Sequence, residues 1–159
     1  MGSTIPVRMS VAAKLRELGI ALPPAAKPVA SYVPVVHSGN LAFVSGQIAR
    51  KGEHVLYKGK VGEAVSVEQG ATCAREAALQ ALAAMDAEGL LDRIVRVVKV
   101  TGYVASAPGF ADQPKVVNGA SDLLVQVFGE AGKHARAAVG VAALPLGACV
   151  EIEVLFEIR

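Results

Sequence analysis

Aromatic residues are scarce in this 159-residue chain, with three tyrosines, four phenylalanines and no tryptophan. With a net charge of +2 and no basic run longer than two residues, that scarcity argues against a nucleic-acid groove, which needs stacking platforms and a cationic track. Charge is sparse as well, at 19% of residues against roughly 25% in soluble domains. No apolar run approaches the ~18 residues of a membrane span. The N-terminus lacks a signal-like apolar core followed by a cleavage site. MGSTIPVR reads as partly foreign to the natural start, with Met9 as a second initiation point. Cys73 and Cys149 stand far apart and outside any metal-ligand spacing, which points to a reduced, cytoplasmic protein. His37, His54 and His134 are too scattered for a histidine-based metal site and read as surface or loop residues. Phosphate-loop, dinucleotide, nucleophile-elbow and zinc-protease motifs are all missing.

What the chain does have is apolar material, 53% of its residues, enough for one well-filled domain. Ser10 to Gly19 reads as a short helix capped by Ser10. Leu22 to Pro28 is a proline-rich extended linker, so residues 1–28 form an N-terminal extension and 29–159 the main domain. Tyr32 to Gln47 reads as a hairpin turning at Ser38-Gly39-Asn40, and Arg50 to Gly62 as a loop or short ribbon. Val65 to Gly89 is a long helix opened by a Ser66/Gln69 capping box. Arg93 to Ser106 is a β-branched strand, Pro108 to Gln113 a turn, and Lys115 to Phe128 a second long helix in which Gly119 is a blemish costing about 1 kcal/mol. Arg136 to Ala143 and Val150 to Ile158 complete the strands, with a turn at Leu144 to Gly147. The order predicts an α+β fold, one mixed sheet with two long helices on one face.

The last strand alternates strictly. Val150, Ile152, Val154, Phe156 and Ile158 suit the helix-covered face, which leaves Glu151, Glu153 and Glu157 on the open one. A carboxylate there gains proton affinity if other subunits desolvate it, and so becomes a useful base.

SGNLAFVSGQ, VVNGASDLL and ARAAVGVAALPLGACVEIE, in that order and spacing, resemble the Rid family of reactive-intermediate deaminases, also called YjgF or endoribonuclease L-PSP. The similarity runs from about Pro28 to Ile158. It implies a chorismate-mutase-like fold, a homotrimer with a site in each cleft between subunits, and cofactor-free hydrolysis of enamines and imines to keto acids and ammonia. On that resemblance, Arg136 binds the substrate carboxylate, as a guanidinium fork does best. Glu151 positions and activates the attacking water, while Glu153 and Glu157 are solvated or channel-facing. Tyr32, thirteen residues before Ser45, closes the cleft or serves an interface. Ser45 bonds substrate, holds the arginine, or is an ordinary turn residue. Asn118 matches a helix asparagine near the site, where it binds substrate or serves a structural role such as holding a loop backbone.

The sequence also departs from the family pattern. Ala138 stands where the archetype has a cysteine that acts through its backbone carbonyl, and Gly140 where a glutamate is common. A-S-Y-V-P replaces G-P-Y-S-Q, and the helix before Pro23 is additional. These point to a side branch.

Three other readings stay open. One is a 2-aminomuconate-type deaminase, favoured by a second cation near Arg136, for which Lys99, Lys115 and Lys133 are candidates. The others are a non-catalytic metabolite binder and a ribonuclease or translation inhibitor. A chorismate mutase is more remote, since only Arg136 is well placed to meet a dianion. The expected partners are therefore a small carboxylate-bearing imine or enamine and two further copies of the chain, without membrane, nucleic acid, metal or cofactor.

Overall fold

A computed structural model describes residues 8–159. The foreign-start reading of residues 1–8 falls almost wholly outside them. Helix α1 (Val11–Glu17) begins where the Ser10 hydroxyl accepts from the Ala13 amide, and it buries Val11 and Leu15 in the core. Strands β1 (Val35–Ser38) and β2 (Leu41–Ile48) form the expected hairpin, joined by Gly39-Asn40. β3 (Arg50–Lys51) and β4 (His54–Val55) make a small ribbon apart from the main sheet.

Helix α2 (Val67–Ala87) opens with the capping box read from the sequence. Ser66 accepts from the Gln69 amide and Gln69 accepts from the Ser66 amide. β5 (Ile94–Ala105) follows, then α3 (Gln113–Phe128), which starts two residues earlier than the pattern predicts. Pro114 lies in its first turn, where a missing amide hydrogen costs nothing. β6 (Ala135–Val141) and β7 (Val150–Ile158) close the chain.

The main sheet runs β1-β2-β7-β5-β6, antiparallel except for the β5–β6 pair, whose parallel crossover is α3. The layout is the α+β architecture expected, with α2 over β2 and β7 and α3 over β5 and β6. Ala42, Val44, Val100, Val104, Ile152, Val154 and Phe156 point into that layer and are essentially fully buried. Phe128 of α3 tilts against Phe156 with ring centroids 6.2 Å apart.

Gly119 turns out not to be a blemish. A β-carbon there would collide with the Ala71 carbonyl of α2, so the glycine lets the two long helices approach backbone to backbone. The price in helix propensity is offset by packing, which the chain pattern alone does not reveal.

Candidate active site

The site is best built from β7. Its alternation leaves Glu151, Glu153, Leu155 and Glu157 on the face without helices. Opposite Glu153, strand β2 carries a bulge: Val44 pairs with Val154 and Gln47 with Ile152, so Ser45 and Gly46 together face one residue. The bulge makes room for Glu151. Its carboxylate lies over Gly46 so closely that a β-carbon there would strike Oε1. Glu151 is half-buried, and desolvation, helped by the negative charge of Glu153, raises its pKa above the ordinary carboxylate value.

A cleft of about 310 Å³ opens beside it, walled by Lys27 of the proline-rich linker, Val29 just beyond it, Tyr32, Arg50 and Leu146. Leu146 adopts a left-handed backbone (φ 60°), a strained geometry for a side chain of its shape. Tyr103 pairs across the sheet with Glu151, and burial, then Glu153 and Glu151, raise its pKa. The Ser45 hydroxyl donates to the Val33 carbonyl at 2.6 Å and its amide to Pro34 at 2.8 Å. Ser45 therefore fastens the segment that carries Tyr32, a role outside those expected of it, and makes no bond to Arg136 within the chain.

The second half of the site lies at the sheet edge. Arg136 on β6 pairs in register with Val100, whose side chain faces the helices, and Arg136 points the same way. There it reaches α3. One guanidinium nitrogen, Nη1, donates to Asn118 Oδ1 at 2.8 Å and to Ser121 Oγ at 3.2 Å. Both hydrogens of Nη1 are thereby used, which leaves Nε–H and Nη2–H as a parallel fork. Arg136 is exposed, and no carboxylate lies within ion-pair distance of it among the described residues. The structural role expected of Asn118 is thus directed at the arginine side chain and not at a loop backbone, which follows from its place on the α3 face above β6. Ala138, two residues on, is half-buried against the core and pairs with Gly102.

The two halves do not meet within one chain. Glu151 stands in register with Tyr103, and Tyr103 with Val139, so Arg136 is three residues along and two strands across. That separation is on the order of 14 Å, and the side chains leave opposite faces of the sheet. Among the lysines expected near Arg136, Lys115 pairs with Asp112 at 3.7 Å and Lys133 with Glu130 at 2.8 Å. Lys99 lies on the open face beside Phe43, Thr101 and Glu153.

Sequence reasoning missed several members of this constellation. Ser121 is one helical turn from Asn118, and that i, i+3 spacing was the available signal. His134 lies in a loop, as expected, just before β6, but it is half-buried with both ring nitrogens hydrogen-bonded. Lys27 and Arg50 reach the Glu151 cleft only through folding of the linker and ribbon. Among the described residues no three potential ligands gather as a metal site, and no helix is long and apolar enough to cross a membrane.

A mixed sheet with two helices on one face, a glutamate on the other and an exposed arginine at the edge defines an α+β protein of the chorismate-mutase-like class. The family described as "YjgF/chorismate_mutase-like, putative endoribonuclease" matches residues 12–158, and the chain belongs to it. It is 49% identical to Protein TCP17 of Trypanosoma cruzi over 151 residues, 94% of each chain. Among solved structures, a protein of unknown function from Agrobacterium tumefaciens shares 45% identity with a TM-score of 0.85, over 94% of this chain and 92% of that one. One from Shewanella oneidensis, titled a putative endoribonuclease, shares 30% identity with a TM-score of 0.88, over 94% and 100%. The YjgF gene product of E. coli is more distant, at 28% identity and a TM-score of 0.60, over 87% and 94%.

Proposed function

We propose that this protein hydrolyses small 2-imino acids and their enamine tautomers to 2-oxo acids and ammonia, at sites formed between the subunits of a trimer. The observation that carries this reading is the state of Arg136. Its Nη1 is clamped by Asn118 and Ser121, it has no acidic partner among the described residues, and its remaining fork is free. Such a fork meets a planar carboxylate bidentately.

Glu151 supplies the proton chemistry. Its carboxylate takes a proton from water as the oxygen adds to the imine carbon. The carboxyl so formed returns that proton to the nitrogen to give the carbinolamine; the carboxylate then takes the carbinolamine hydroxyl proton and passes it to the same nitrogen, so that the C–N bond breaks and ammonia leaves as the carbonyl forms. One group serves as base and then acid, which requires a pKa nearer neutrality than an exposed glutamate has; desolvation shifts Glu151 in that direction. Because Arg136 and Glu151 lie on opposite faces of one sheet, a substrate touching both must sit between two chains. Exposed Val36 and Phe43 on the open side of the hairpin fit a face that another copy covers. Tyr32, 53% exposed at the cleft mouth, would close over the substrate. The free, buried Cys73 and Cys149 suit a reducing, cytoplasmic setting.

A second reading has its own support. Lys27 and Arg50 line the Glu151 cleft and neither forms an ion pair among the described residues. Two extra cations favour an imine carrying a second acidic group, as in 2-aminomuconate.

The test is hydrolysis of 2-iminopropanoate, generated in situ from an amino acid and followed as loss of semicarbazone. Wild type is expected to be active and Arg136→Ala inactive. Activity on an aminomuconate-type dicarboxylate alone would transfer the assignment to the second reading. RNA cleavage, named for several relatives, is assayed beside both. Cleavage of RNA with neither imine hydrolysed would refute the proposal.

A further inference from the structure

Behind Arg136 lies a chain of hydrogen bonds with one consistent direction. The Gly132 carbonyl can only accept, so the 2.6 Å contact to His134 Nδ1 fixes the hydrogen on that nitrogen. The neutral ring then presents a bare Nε2, 2.9 Å from Ser121 Oγ. Ser121 therefore donates its hydroxyl hydrogen to Nε2 and turns a lone pair toward Arg136 Nη1, 3.2 Å away. Asn118 Oδ1 takes the other Nη1 hydrogen. Every donor in the series has an acceptor, and the series ends on main chain.

We infer that His134 is a positioning residue: through Ser121 it holds the Arg136 guanidinium in the one orientation that presents the Nε–H and Nη2–H fork to a substrate carboxylate. The inference rests on the carboxylate-anchor reading of Arg136. A serine hydroxyl on a helix is a free rotor that readily donates to the carbonyl four residues back, here that of Val117. In that rotamer its hydrogen no longer points at His134, and nothing fixes where its lone pairs point. The bare Nε2 removes the ambiguity by giving the hydroxyl hydrogen a fixed acceptor. Arg136 then keeps its Nη1 anchored on two sides, and the guanidinium is ordered before ligand arrives. Preorganisation of this kind shows as affinity, because less freedom is lost on binding.

The alternative is that His134 merely pins the start of β6 to the turn at Gly129–Gly132. Two readouts separate these. The first is a long-range ¹H–¹⁵N spectrum of the labelled full chain without ligand. The Nδ1–H tautomer is expected, and Arg136 Nε–H exchange with solvent is expected to speed up in both Ser121→Ala and His134→Ala. The second is titration with 2-oxobutanoate. Each variant is expected to bind about tenfold more weakly, the double variant no more weakly than either single, and Ser121→Thr close to wild type.

An Nε2–H tautomer, unchanged Arg136 exchange in His134→Ala, or additive losses in the double variant would overturn the inference. If His134→Ala does not fold, the tautomer and the Ser121 pair decide it. Unchanged 2-oxobutanoate binding in Arg136→Ala would instead refute the carboxylate-anchor reading, and the tautomer and exchange data would still judge the relay on their own.

Discussion

Two inactive variants of this protein are expected to restore activity to each other. On the proposed mechanism, Arg136→Ala lacks the carboxylate receptor and Glu151→Gln lacks the proton carrier, with shape nearly unchanged. Within one chain these residues lie on the order of 14 Å apart on opposite faces of the sheet, so no three- or four-carbon imino acid reaches both. If a site draws Arg136 from one chain and Glu151 from its neighbour, a mixed oligomer contains some sites with both groups intact. The arginine donor must be a Glu151→Gln chain and the glutamate donor an Arg136→Ala chain. Each condition holds with probability one half in an equimolar random mixture, giving roughly one quarter of wild-type activity in a closed ring. Away from equal proportions the yield falls as the product of the two fractions. The two chains are co-expressed with different affinity tags, shown by tag pull-down to co-assemble, and assayed without fractionation on 2-iminopropanoate beside each variant alone and beside the double variant. Activity that never rises above the single variants at any ratio, in oligomers shown to be mixed, would refute the inter-subunit site.

Glu151→Gln should also change stability in a pH-dependent way. Desolvation raises the folded-state pKa of Glu151 above its unfolded value, so wild type loses stability as pH climbs through that window. Glutamine carries no such loss, so the variant's advantage in Tm should be absent below the ordinary carboxylate pKa and present at neutral pH; equal Tm differences at both would contradict it. Gly46→Ala forces a β-carbon into the Glu151 carboxylate and is expected to cost about 1–3 kcal/mol in chemical denaturation and to lower kcat at least roughly tenfold. Gln80 is 5% exposed and its amide oxygen has no partner among the described residues, so Gln80→Met should raise unfolding free energy by about 1 kcal/mol, measured by urea titration.

The parts of the fold that were legible in the sequence are those governed by local rules. The capping box at Ser66 and Gln69, the period-two alternation of Val150 to Ile158 and the Gly39-Asn40 turn each follow from neighbours within a few residues. The family resemblance supplied what no local rule gives, the proposal that Arg136 and Glu151 serve one reaction. What stayed hidden is long-range. Gly119 looks costly until Ala71 is seen against it, and the Pro28 linker looks idle until Lys27 and Val29 wall the cleft. Pro114 looks like a helix breaker until α3 is found to start one residue before it. The link between His134 and Ser121 spans thirteen residues and two elements, and nothing in either segment announces it.

Splitting the two groups of the proposed site between faces has a chemical logic of its own. An arginine within a few ångströms of Glu151 would pull the carboxyl pKa down and oppose the rise that burial and Glu153 produce. The same contact would fill the guanidinium fork with an internal carboxylate, and any substrate would have to displace it. Here the sheet itself insulates the pair. Arg136 is held by neutral groups, Asn118 and Ser121, which order it without cancelling its charge. Glu151 is held against a glycine, which brings no competing donor. In an assembled site the substrate would stand between them, its carboxylate on the arginine and its imine carbon toward the glutamate, so that each charge meets the substrate before it meets the other.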